Sequence, residues 1–102
     1  MITVLRRWFV PSSKLEEVTH KLHSEVLPEI RRQPGCVRVE VYESSIRDHW
    51  VTAVSWKDHD ARLNALAQLA PILSEFAQYQ RFEPEILTLR GDRAEEPGIP
   101  KV

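Results

Sequence analysis

A chain of 102 residues is expected to form one domain around one modest core. Its 14 basic and 15 acidic side chains leave a net charge of -1, with no excess to neutralise a phosphate backbone, so nucleic acid is excluded as a partner. A single cysteine, Cys36, makes no internal disulfide and suits a reducing, cytoplasmic setting, and neither a signal peptide nor an apolar run near the ~20 residues that cross a bilayer is evident.

Ile2 to Val10 is dense in β-branched and aromatic residues and predicts a strand. Alternation places Ile2, Val4, Arg6 and Trp8 on one face and Thr3, Leu5, Arg7 and Phe9 on the other. Pro11-Ser12-Ser13 ends it, and Ser13 with Glu16 has the spacing of a capping box. Leu15, Val18, Leu22, Val26 and Ile30 then form one helical stripe, which Pro28 should kink or restart by a turn. Gln33-Pro34-Gly35 stops the helix.

In Cys36 to Glu43, Val37, Val39 and Val41 alternate against Arg38, Glu40 and Tyr42, as in a half-buried strand. A polar turn, Ser44 to Asp48, leads into a third strand from Trp50 to Trp56. That strand sets Trp50, Thr52, Val54 and Trp56 on one side and the smaller Val51, Ala53 and Ser55 on the other. Asp58 is placed to cap a second helical region, with Leu63, Leu66, Ala67 and Ala70 at helical spacing. Pro71 is expected to divide it, leaving a short helix from Ile72 to Tyr79. Phe82 to Arg90 predicts a last strand whose Pro84 belongs on a sheet edge, and residues 91–102 form an aperiodic tail beyond the domain at residues 1–90.

The order strand, helix, strand, strand, helix, strand is that of a ferredoxin-like α+β fold with an antiparallel sheet. Helices cover one face of such a sheet. The other face still carries Leu5, Phe9, Val51 and Leu89, which makes a homodimer through the sheet faces the economical arrangement.

The opening strand, the long amphipathic helix, Pro34-Gly35-Cys36 before the second strand and Val54-Ser55-Trp56-Lys57 closing the third stand in a telling order. Over residues 2–90 the chain resembles the antibiotic biosynthesis monooxygenase family of dimeric α+β barrels. The resemblance implies a cofactor-independent monooxygenase that uses O2 on a small aromatic, phenolic or quinol-like compound. A non-catalytic dimeric module that binds a small molecule, or serves in stress, is the alternative. Trp56 matches a tryptophan of the pocket in the family's aromatic-polyketide oxygenases. Thr52 and Arg62 stand where those enzymes have an asparagine and a tyrosine. The family's haem degraders use an asparagine near the position of Arg6 and a histidine on the second helix. No histidine lies between Asp60 and Tyr79, which speaks against that route and for a protein without cofactor or metal.

For this chemistry Arg6 is the candidate cation and His23 the candidate base, with Trp56, Trp8 and Phe76 as apolar walls and Thr52 and Arg62 as further substrate contacts. Each residue also has a structural explanation. Trp56 packs a helix against the sheet, or walls a ligand. Arg6 interrupts an apolar strand face, so it needs a carboxylate, the solvent of a cavity or a ligand anion. His23 borders the first helix's apolar stripe, where a structural hydrogen bond would also explain it. His20 and His23 lack a third metal ligand, Asp58-His59-Asp60 suits a helix start, and Cys36 suits a small buried site.

Overall fold

Two strands organise the domain: β1 (Ile2–Phe9) and β3 (His49–Trp56) pair antiparallel along their whole length, from Ile2 opposite Trp56 to Phe9 opposite His49. The structure is a computed structural model and describes residues 1–90; the predicted tail lies outside the described residues. β2 (Cys36–Glu43) flanks β3 and β4 (Glu85–Thr88) flanks β1, giving the order β2-β3-β1-β4 in one antiparallel sheet. With helices between β1 and β2 and between β3 and β4, this is the ferredoxin-like α+β fold.

The first helical stretch is built in three parts: α1 (Ser12–Lys21), a π-helical segment (Leu22–Val26) and α2 (Leu27–Arg32). The expected restart at Pro28 takes this form. Pro28 offers no N–H to the preceding turn and stands in the first turn of α2, where none is needed. Just before it the Leu27 N–H reaches the Leu22 carbonyl, five residues back. The expected capping box does not form: α1 begins at Ser12 behind Pro11, and no side chain caps it.

α3 (His59–Ser74) is capped by Asp58, whose carboxylate accepts from the Ala61 N–H at 2.8 Å. Contrary to expectation, Pro71 does not divide it. Pro71 and Ala67, whose carbonyl loses its helical partner, are both exposed, so water can take the missing bond. The buried face of α3 is Ala61, Ala65 and Leu69, whereas Leu63, Ala67 and Ala70 of the expected stripe are exposed. A single 3-10 turn (Ala77–Tyr79) follows.

Three further expectations need correction at the sheet. A bulge between Cys36 and Arg38 pushes Val37 out of the alternation, and it is 55% exposed. β3 begins one residue early, at His49. β4 keeps only four of the nine residues from Phe82 to Arg90, and it is an edge strand, as Pro84 implied. The core lies between sheet and helices, where Ile2, Val4, Val54 and Trp56 meet Val26, Ile30, Ala65, Leu69 and Phe76.

The loop carrying Pro34-Gly35-Cys36 meets the end of β3. The Gly35 carbonyl accepts from the Lys57 N–H at 2.9 Å, and Cys36 pairs with Trp56. Gly35 has φ +85°, and a Cβ there would strike the Cβ of Ala61, so glycine is required on both counts.

Candidate functional site

On the helix side of the sheet the side chains leave two cavities that share the walls Arg6, Ile30, Val54 and Leu73. The larger, about 50 Å³, lies under the first helical stretch. Trp8, Trp50 and Thr52 form its floor, with Leu22 and Val26 above and Phe76 and Tyr79 at its side. The smaller, about 20 Å³, lies under α3 and is lined by Trp56, Arg62 and Leu66 among others.

Period-two alternation explains the floor. Arg6 stands opposite Thr52 in the β1–β3 ladder and Trp8 opposite Trp50, so all four point to the helices. The Trp8 Nε1 donates to the Thr52 Oγ1 at 3.0 Å. That bond satisfies the buried hydroxyl and fixes the indole plane in the cavity wall.

Arg6 is half-buried, and among the described residues no carboxylate lies within ion-pair distance of it. Burial lowers its pKa from the ordinary arginine value, and the nearby charge of Arg62 lowers it further. Both causes describe a cation short of a counter-charge. The four ion pairs among the described residues, Arg7–Glu85, Lys21–Glu75, Arg32–Glu29 and Arg38–Glu40, all involve accessible side chains.

The sequence-predicted residues therefore divide. Arg6, Trp8, Thr52 and Phe76 line the larger cavity, while Trp56 and Arg62 meet Arg6 in the smaller one. Trp56 is a buried member of the core as well as a wall of that cavity. His23 is corrected: it is exposed on the π-helical segment and lines neither cavity. The wider π turn resets the helical phase, so Leu22 and Val26 face the sheet and the residues between them face water. Trp50 and Tyr79 were not singled out. The alternation already placed Trp50 beside Thr52, whereas a 3-10 turn gives no periodic signal for Tyr79.

His49, also unremarked, is 8% exposed on the opposite sheet face. It stacks on Phe9 at 4.5 Å, and neither ring nitrogen has a hydrogen-bond partner among the described residues.

A four-stranded antiparallel sheet with its helices on one face and an apolar cavity beneath them defines a ferredoxin-like α+β domain. Residues 1–82 match the family model described as antibiotic biosynthesis monooxygenase, and the chain belongs to that family. No curated protein matches it by sequence. Among solved structures it is similar to SnoaB from Streptomyces nogalater, described as a cofactor-independent oxygenase. The identity is 26% and the TM-score 0.70, over 92% of this chain and 97% of that one. MupZ from Pseudomonas fluorescens (16% identity, TM-score 0.71, 83% and 69% of the two chains) shares the fold. So does HapK from Hahella chejuensis (14%, 0.72, 91% and 96%). Membership and the likeness to SnoaB support a monooxygenase-type function at the level of the family. Among the described residues no helix is long and apolar enough to cross a membrane.

Proposed function

We propose that this protein is a cofactor-independent monooxygenase of a small phenolic or quinol-like aromatic, and that it binds the substrate as its anion. The observation that carries this reading is Arg6: a half-buried guanidinium, without a carboxylate partner among the described residues, facing a cavity walled by Trp8, Trp50 and Phe76. Such a cation stabilises a phenolate far better inside an apolar wall than in water.

The lining residues also say what is missing. Among the described residues, no histidine, aspartate or glutamate lines either cavity. The proton of the phenol therefore leaves before or during entry, and the charge of Arg6 favours that loss. The phenolate then supplies the electrons. One passes to O2, the two radicals join at a ring carbon, and the peroxide loses water. One oxygen atom stays as the new carbonyl. The other leaves as water with the two hydrogens that the ring carbon and the hydroxyl give up, so the products are a quinone and H2O.

The sheet face opposite the cavities supports a homodimer. Leu5 and Val51 on that face are only half-covered, and Leu87 and Leu89 are 41% and 57% exposed. The single cysteine supports a cytoplasmic setting.

The test is oxygen uptake with a panel of phenols, naphthols and quinols at fixed pH. Stoichiometric quinone formation faster than in buffer is expected. If compounds that bind are not oxidised faster than in buffer, the protein is a binding module instead.

A further inference from the structure

We propose that the smaller cavity is an anion subsite, so that the ligand is an aromatic acid whose carboxylate lies between Arg6 and Arg62 while its ring fills the larger cavity. This inference rests on the larger cavity being the substrate site, and it adds a chemical class to that reading.

The two arginines come from different elements. Arg6 is in mid-strand on β1, and Arg62 is in the first turn of α3, four residues before Leu66, which shares the same cavity wall. Both are half-buried, and neither has a side-chain hydrogen bond or an ion-pair partner among the described residues. Two guanidiniums close enough for Arg62 to disfavour the charge on Arg6 repel each other across an apolar wall. An anion between them turns that repulsion into two attractive contacts, and planar guanidinium forks match a carboxylate in particular.

Size decides how the ligand is oriented. A water-sized group needs ~10–15 Å³ of such space, so a cavity of about 20 Å³ suits a carboxylate better than a ring. The larger cavity is the apolar one and shares the wall at Arg6. A ring there with a carboxylate substituent therefore reaches the arginine pair without crossing another polar group. A phenol alone would leave Arg62 without a counter-charge.

The experiment uses the intact protein and two ligands of one shape, 3-hydroxybenzoate and 3-hydroxybenzamide, followed by calorimetry and by the emission of the three tryptophans, Trp8, Trp50 and Trp56, all of which line one cavity or the other. The acid is expected to bind wild type at least ~10-fold more tightly than the amide, in line with a desolvated charge pair. Arg62→Gln should bring the two within ~2-fold of each other, chiefly by weakening the acid, and Arg6→Gln should also remove the preference. Far-ultraviolet circular dichroism confirms that both variants are folded. Equal binding of acid and amide to wild type, binding of neither, or a preference that survives Arg62→Gln overturns the subsite. Oxygen uptake with simple phenols separates the two proposals. If uptake is absent but the acid preference is present, the subsite stands without the monooxygenase. Uptake with equal binding leaves the reverse.

Discussion

The indole of Trp8 donates to the hydroxyl of Thr52 over 3.0 Å, tying β1 to β3 through the floor of the larger cavity. Thr52→Val keeps the side-chain shape and removes the acceptor, leaving a half-buried N–H without its partner. Loss of about 1 kcal/mol is expected, seen as a lower urea midpoint with an unchanged slope. Because the indole also loses its fixed orientation, ligand affinity should fall several-fold. Unchanged stability and unchanged affinity would make the bond incidental.

Gly35 is the second junction. Its positive φ and its approach to Ala61 both exclude a side chain. Gly35→Ala should destabilise the fold by about 1–3 kcal/mol, combining backbone strain with a clash at the head of α3. Ala61→Gly in the same background removes only the clash and should restore part of that loss. Thermal unfolding of the single and double variants separates the two contributions.

Cys36 gives a dependence on pH. Burial raises its thiol above the ordinary cysteine value, opposed by a backbone hydrogen bond at Arg38 and by the charge of Arg31. The folded state thus holds the thiol proton more tightly than the unfolded state. Its contribution to stability is complete below the unfolded thiol value of about 8.5 and is lost as pH rises through the folded one. Alkylation by iodoacetamide should accordingly reach half its limiting rate at higher pH in the native protein than in urea. Coincident profiles would show that burial does not govern this thiol.

How far the sequence reached is clearest at β1 and β3. Alternation alone put Arg6, Trp8, Thr52 and Trp56 on the helix side, because a strand has one side-chain period and little freedom to depart from it. The helices were harder. The core face of α3 begins with Ala61 and Ala65, whose small side chains give no signal beside Leu63. The π turn at Leu22–Val26 shifts the helical phase, so an apolar stripe read at 3.6 residues per turn brought His23 too close to the cavity. Arg62 and Arg6 meet only in three dimensions, and no spacing in the chain reports their distance from a carboxylate.

The open sheet face yields an assembly prediction. Val51→Glu places a charge on that face, opposite Arg7 in the ladder and diagonal to Leu5 and Phe9, where a second copy would have to desolvate it. Light scattering at low micromolar concentration should report twice the 11.9 kDa chain mass for wild type and the chain mass itself for the variant. A folded wild-type monomer at that concentration would remove the dimer from the proposal.

The chemistry itself is tested by combining substrate ionisation with Arg6→Met. With no histidine or carboxylate among the described residues lining either cavity, the rate should follow the ionisation of the substrate. Across phenols of graded acidity, kcat/KM should rise through a pH that moves with each substrate's own ionisation rather than staying at one value. Arg6→Met removes the cation that stabilises both the phenolate and the charge passed to oxygen. A loss of about 2–4 kcal/mol in transition-state stabilisation is expected, or ~30- to 1000-fold in kcat/KM. The same variant should bind the neutral methyl ether of a phenol that carries no carboxylate about as well as wild type does, since that ligand brings no charge to Arg6. Trp56→Phe should act differently. It trims a buried wall of the smaller cavity and lowers stability through lost packing, while most of the turnover survives. A pH profile fixed across substrates would point to a base on the protein, with Tyr79 the first lining residue to replace. Full activity of Arg6→Met would remove Arg6 from the mechanism and leave the cavity as a binding surface.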